Sequence, residues 1–194
     1  MKTILVTGGT GFIGSHTCLL LLEKGYEIFV IDSFKNSSPK SLDKVLLILK
    51  NVNIFVEDRI HLFECDLRIE DDIEKVFNKS LEIKKPIESV IHFAGLKSVS
   101  ESNQSPLEYW ESNVNGTINL LKVMKKYNCK NIVFSSSATI YKAKSDKFLC
   151  ENDFCKPLNP YGDTKYTIEK ILNNVYKKDP TQWRIACLRY FNPV

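Results

Sequence analysis

The chain has no long apolar run. Nothing in it approaches the roughly 20 consecutive apolar residues that a membrane-spanning helix needs. The opening Met1-Lys2 leads straight into a strand-like run broken by glycines, which is too short for a secretory signal. Paired cysteines are also missing. Cys18, Cys65, Cys129, Cys150, Cys155 and Cys187 are scattered with no Cys-x-x-Cys spacing, so neither a zinc knuckle nor a dithiol redox motif is expected, and a reduced, cytosolic compartment is. Cys18 and Cys187 sit in apolar runs and read as small core residues; Cys150 and Cys155 read as free thiols. The 3 histidines lie far apart, so no metal site is expected. The net charge of +4 is spread over short pairs such as Lys84-Lys85, Lys125-Lys126 and Lys177-Lys178. No basic stripe with interleaved aromatics argues for nucleic acid. Repeats, low-complexity segments and interdomain linkers are absent too. The 194 residues, 43% hydrophobic and 26% charged, are enough for one soluble domain with its own core.

What is present begins at the amino end. Ile4-Leu5-Val6 reads as a buried strand. It runs into Thr7-Gly8-Gly9-Thr10-Gly11-Phe12-Ile13-Gly14, and a helical apolar pattern from Ser15 to Lys24 then ends at Gly25. The glycines fit Gly9-x-Gly11-x-x-Gly14 or Gly8-x-x-Gly11-x-x-Gly14. In either frame a tight turn lets backbone approach a pyrophosphate while a helix N-terminus aims free N–H groups at the anion. A second strand, Ile28 to Ile31, ends at Asp32, eighteen residues after Gly14, where a carboxylate bonds the adenosine ribose and repels a 2′-phosphate. This favours NAD over NADP, although Lys35 nearby could attract such a phosphate.

Strand and helix patterns then alternate. Helices are expected over Ser41–Leu49, Glu70–Lys79, Leu107–Tyr127 and a segment carrying Tyr161 and Lys165 with Pro160 near its start. The third strand is placed at Leu62–Cys65 rather than Ile54–Val56, the fourth at Ser89–Gly95, the fifth at Ile132–Phe134 and the sixth at Trp183–Tyr190. Near-continuous apolar strands alternating with helices define an α/β fold, a doubly wound parallel (Rossmann) sheet in the order 3-2-1-4-5-6. Ligands bind such sheets beyond the carboxyl ends of the strands. The distinctive residues fall there: the glycine turn, Asp32, Asp66, Phe93 to Lys97, Ser135 to Ser137, and Tyr190-Phe191-Asn192.

Tyr161 and Lys165 are four residues apart, so on a helix they share a face. A cation there favours the phenolate, and a phenolate can take a proton from a sugar or alcohol hydroxyl. Ser137 could bond the same hydroxyl or could satisfy backbone in a turn. Lys97 could hold the cofactor or be a solvated loop lysine. Asp66 could contact adenine or cap the next helix.

These motifs, together with His92-Phe93-Ala94-Gly95-Leu96-Lys97, Phe134-Ser135-Ser136-Ser137 and Leu188-Arg189-Tyr190-Phe191-Asn192-Pro193, resemble those of the UDP-glucose 4-epimerase branch of the extended short-chain dehydrogenase/reductase family. The resemblance runs over nearly the whole chain. It implies a bound NAD and a UDP-glucose/UDP-galactose substrate interconverted by transient oxidation at sugar C4. Tyr161 would be the base, with Lys165 tuning it and holding the nicotinamide ribose, and Ser137 would orient the sugar. Around NAD would lie Gly8, Gly11, Phe12, Ile13 and Gly14 of the turn. Asp32, Ser33, Phe34, Lys35, Asn36 and Ser37 would surround the adenosine ribose and phosphate, and Asp66 and Leu67 the adenine. Phe93, Ala94, Gly95, Leu96 and Lys97 would line the pyrophosphate and nicotinamide side, with Phe191 on the nicotinamide. Lys97 and Asn192 would also contact the sugar nucleotide.

The chain departs from the family pattern in places. Asp163-Thr164 replaces the common Lys-Ser, and Lys142 stands where a glycine is common. Ser112 stands where some relatives carry a cofactor-contacting asparagine and is left out of the site. Such relatives continue for a long stretch that supplies the sugar-nucleotide pocket, so residues 1–194 are expected to be the NAD-binding domain with the catalytic Tyr/Lys, without that portion. The alternatives are an NAD-binding fragment without catalysis, or a 4,6-dehydratase. Relatives of the latter kind carry Asp-Glu where this chain has Ala138-Thr139. A homodimer through Leu107–Tyr127 and Asn159–Val175 is implied by analogy only.

Overall fold

A computed structural model describes residues 2–142 and 148–192. Six strands, β1 (Thr3–Thr7), β2 (Glu27–Asp32), β3 (Ile60–Glu64), β4 (Ser89–His92), β5 (Asn131–Ser137) and β6 (Arg184–Tyr190), form one sheet in the order β3-β2-β1-β4-β5-β6. Every pairing is parallel. This is the expected doubly wound order. The helices are α1 (Phe12–Glu23), α2 (Lys40–Asn51), α3 (Glu70–Glu82), α4 (Val99–Gln104), α5 (Pro106–Tyr109), α6 (Gly116–Lys126) and α7 (Pro160–Lys178). None is long and apolar enough to cross a membrane.

Alternation along each strand explains why the sheet is covered on both faces. Val6, Ile28 and Val30 pack with Cys18 and Leu22 of α1 and Leu42, Val45 and Leu49 of α2. Their neighbours Leu5, Phe29 and Ile31 point the other way, into a cluster with Phe77 of α3, Leu120 and Met124 of α6, and Ile168 and Leu172 of α7. Burying each such side chain contributes about 1.5–3 kcal/mol.

Three expectations are corrected. The single helix over Leu107–Tyr127 is in pieces: α5 and α6 are separated by a π-helical turn over Trp110–Asn115. The turn buries Asn113, whose side chain is claimed by a loop on another element. The short α4 was not expected; its N-cap Ser98 accepts from Glu101 N. Cys187 is exposed rather than buried, because β6 is the outermost strand of the sheet and its residues Ala186 to Leu188 are left uncovered among the described residues. The favoured third strand is confirmed at Ile60–Glu64, and Ile54–Val56 is not a strand.

The glycine turn is held by contact rather than by flexibility. A Cβ on Gly14 would lie 2.2 Å from the Gly8 carbonyl oxygen and 2.7 Å from Gly9 Cα, all backbone that cannot swing aside. Gly14→Ala is therefore expected to lower stability by about 2–4 kcal/mol and to weaken dinucleotide binding. Thermal melts with and without NAD check both.

Candidate active site

A cleft of about 680 Å³ opens along the carboxyl ends of the strands, between the glycine turn and the start of α7. Every residue singled out above for a cofactor, substrate or catalytic role lines it except Phe34. Phe34 takes a left-handed conformation at φ 54°, and its N–H donates to Asp32 Oδ1 at 3.1 Å. Asp32 also accepts from Ser37 Oγ at 2.8 Å and, on Oδ2, from Thr10 N at 3.1 Å. The carboxylate thus shapes the loop that follows β2 as well as lining the cleft. Asp66 is neither a helix cap nor free. Arg68 donates to both its oxygens through Nε at 3.0 Å, and through Nη2 at 2.5 Å, and this guanidinium holds the carboxyl below its ordinary range. The N-cap position of α3 belongs to Ile69.

The sequence Asn159-Pro160-Tyr161-Gly162 starts α7 at the cleft. Asn159 Oδ1 accepts from Gly162 N at 2.8 Å, and Pro160 takes the first helical position. A Cβ on Gly162 would lie 2.7 Å from Thr139 O, so the glycine lets the helix start press against the turn after β5. That contact brings Tyr161 to Ser137. The Ser137 hydroxyl bonds the phenol and also accepts from Thr139 N at 3.2 Å and Thr139 Oγ1 at 3.0 Å. The turn reading of this serine therefore holds.

One turn further on, Lys165 is 4% exposed. Its Nζ donates to Ser135 O at 2.8 Å and lies 4.8 Å from the Phe134 ring centroid and 6.0 Å from that of Tyr161. The electrostatics differ from the expectation of a lysine-lowered tyrosine. Burial raises the Tyr161 pKa, and what pulls it back is the Ser137 hydrogen bond. Lys165 is itself pulled down to about 8 by burial. In this state desolvation of the phenolate outweighs the neighbouring cation.

Asn113 carries no motif signal in the sequence; its neighbour Ser112, left out of the expected site, lines the cleft. The next residue is buried and makes the bonds: Asn113 Oδ1 accepts from Leu96 N at 2.7 Å, and Nδ2 donates to Leu96 O at 3.0 Å and Thr164 Oγ1 at 3.1 Å. Thr164 Oγ1 in turn donates to Tyr161 O at 2.7 Å. Behind it, Thr117 Oγ1 donates to Asn113 O at 2.6 Å. That hydroxyl can therefore only accept from His92 Nε2, 2.9 Å away, which leaves His92 Nδ1 to accept from Thr7 Oγ1 at 2.7 Å. Thr7 Oγ1 then accepts from Ala94 N at 3.1 Å. Burial holds His92 neutral, with a pKa pushed down to about 3. One chain of hydrogen bonds thus joins the end of β1, the loop after β4 and the helix carrying Tyr161.

A parallel doubly wound sheet with a tyrosine, lysine and serine at its carboxyl edge has the short-chain dehydrogenase/reductase-like fold. Comparison with known proteins narrows this. Residues 4–194 match the profile of the NAD dependent epimerase/dehydratase family, and the chain belongs to that family. It is 46% identical over 194 residues to the bifunctional UDP-glucose 4-epimerase and UDP-xylose 4-epimerase 1 of Pisum sativum, covering all of this chain and 53% of that protein. It is 45% identical over 190 residues to the UDP-glucose 4-epimerase of Bacillus subtilis, covering 98% of this chain and 52% of that one. The crystal structure of the Bifidobacterium longum UDP-glucose 4-epimerase in complex with NAD+ and UDP superposes with a TM-score of 0.87 at 43% identity, over all of this chain and 54% of that one. The chain spans about half the length of these relatives.

The buried ammonium generates a prediction. The folded pKa of Lys165 lies below its unfolded value, so the unfolded chain holds this proton more tightly. Below pH about 8 the charge costs stability, and the cost fades as pH rises from about 8 toward the ordinary lysine value near 10.5. Lys165→Met is expected to raise stability at pH 7 by about 1–3 kcal/mol, a gain that shrinks by about pH 10. Denaturant melts at the two pH values measure it.

Proposed function

We propose that this chain is the NAD-binding, proton-transferring part of a UDP-glucose 4-epimerase, acting on UDP-glucose and UDP-galactose in the cytosol. The observation that carries the reading is the meeting of Tyr161, Ser137 and Lys165 at the carboxyl end of β5, in the same cleft as the glycine turn and Asp32. The residues fit a dinucleotide. The α1 N-terminus has no side-chain cap, leaving its N–H groups open to an anion, and Asp32 keeps acceptor capacity for ribose hydroxyls.

NAD held in the cleft would supply the reversible two-electron oxidation of sugar C4, so no external oxidant or reductant would be consumed. The chain's own residues do the rest. Tyr161 as phenolate takes the 4-hydroxyl proton and later returns it. Ser137 donates a hydrogen bond that favours the phenolate and shares the sugar hydroxyl. Lys165 holds α7 to β5 through Ser135 O and would stand on the ribose side of bound NAD. Lys97 and Asn192 lie at the cleft where the sugar nucleotide would enter. Positioning supplies most of the rate. The remainder of the sugar-nucleotide pocket is assigned to the half of the relatives' length that this chain does not match. A homodimer in the longer protein is part of the same reading; nucleic acid and membranes are not.

Two outcomes test it. In the complete gene product Tyr161→Phe is expected to reduce UDP-galactose turnover by about 10²–10⁴ while NAD affinity stays within about threefold; unchanged turnover refutes the base. The 194-residue chain alone is expected to bind NAD but show no turnover in a coupled UDP-galactose assay, and activity in the short form refutes the division of labour.

A further inference from the structure

Three successive residues of β5 are each engaged by one side chain of α7, and those side chains stand at positions i, i+4 and i+8 of the helix. Tyr161 meets the Ser137 hydroxyl. Lys165 Nζ donates to Ser135 O at 2.8 Å. The third rung is Glu169, 9% exposed, whose Oε1 accepts from Ser136 Oγ at 2.5 Å. The first two rungs belong to the proposed chemistry; the third does not.

Glu169 is completed from the neighbouring strand. Arg189 lies directly opposite Ser136 in the β5–β6 register. Its Nε donates to Glu169 Oε1 at 3.1 Å and its Nη2 to Oε2 at 2.8 Å. The remaining nitrogen, Nη1, donates to Tyr141 Oη at 2.5 Å and to Glu151 O at 2.7 Å. A single guanidinium therefore ties together β6, α7 and, at both its described ends, the segment that runs from β5 to α7.

We propose that Glu169 and Arg189 are positioning residues for the tyrosine site: their ion pair fixes the register of α7 on β5 and so sets the approach of the Tyr161 phenol to the Ser137 hydroxyl. The role rests on Tyr161 acting as the base. A buried pair of this kind is seldom the most stabilising choice, since two apolar side chains of similar volume often serve stability as well or better. What an apolar pair cannot do is hold Ser136 at one hydrogen-bonded position, because it has no acceptor. Register held by a directional contact two turns from the phenol is the property that the charged pair adds. Misplacement by about 1 Å at a reacting group can lower rate about 10²-fold.

The test uses the double variant Glu169→Met with Arg189→Met in the complete gene product, which removes both charges together and keeps the side-chain length at Glu169 and an unbranched apolar stem at Arg189. Expected are a melting temperature within a few degrees of the native protein, NAD affinity within about threefold, and kcat for UDP-galactose lower by about tenfold or more with KM within about threefold. In protein labelled with ¹³C at tyrosine Cζ, with the Tyr161 resonance identified by its loss in Tyr161→Phe, that resonance is expected to shift and to titrate at higher pH, because Ser137 no longer donates to the phenolate. Glu169→Gln, which keeps the acceptor for Ser136 but not the charge, is expected to shift it less; this variant decides the matter if the double variant does not fold. A Tyr161 resonance and titration unchanged from native overturn the proposal, as does a kcat loss that merely follows a loss of melting temperature. Native protein with no turnover sinks the epimerase reading instead, and the resonance still decides the positioning role.

Discussion

The site depends on a buried ammonium. Lys165 is carried into the protein by α7 and stopped by the carbonyl of Ser135 at 2.8 Å, above the Phe134 ring. A lysine placed there without a carboxylate partner is expensive, and the depression of its pKa to about 8 measures the cost. The helix cannot drift outward without stripping the ammonium of its acceptor while still dehydrated, nor inward without meeting the strand. The Gly162 contact with Thr139 and the Asn159 cap fix the other end of the same turn. Helix and strand are thereby locked at the point where the phenol must meet its serine. Stability is given up at a place where geometry is gained, a trade common at functional sites.

That lock also explains why Tyr161 does not rest as a phenolate. Burial favours the neutral phenol, and a lysine itself half-inclined to neutrality near pH 8 is a weak counter-charge. Ser137 opposes the burial, and its hydroxyl is held for that purpose by Thr139. A phenol of this kind, in the base role proposed for it, is poised rather than permanently ionised. Behind the site a histidine is kept uncharged between two threonines.

What could be read from sequence was what is encoded locally. The strand-glycine-helix-strand run to Asp32, the alternation that gives a doubly wound sheet, and the Tyr161–Lys165 spacing all rest on periodicity and turn chemistry within about thirty residues of chain. What was missed depends on partners far away in sequence. The π turn that buries Asn113 exists because Leu96, seventeen residues earlier, needs both groups of its amide. Glu169 looks like one more polar residue on a helix until β6 brings Arg189 across twenty positions to meet it. Cys187 was misplaced for the converse reason: an apolar run predicts burial only where something covers it. The tyrosine–lysine pair itself was found, but its electrostatics were not, since spacing says nothing of desolvation.

The charges of the cleft sort by the same logic. At the end beside Asp32, each cation is already matched: Lys35 pairs with Glu108 across seventy-three positions of chain, and Arg68 with Asp66. Both pairs are partly exposed and are worth little as stability. Their effect is on the field, because a matched lysine is less available to a second phosphate at the adenosine ribose than a free one. At the other end Lys165 is committed to a carbonyl. Lys97 makes no ion pair or hydrogen bond with the described residues, and it is exposed on the cleft wall. An anionic ligand lying along the strand ends would therefore find, among the described residues of the cleft, one uncommitted side-chain cation beside the loop after β4, and uncapped helix amides at the start of α1. In the proposed reading a diphosphate would lie between those two points, and the Asp32 carboxylate would oppose an added 2′-phosphate at the other end.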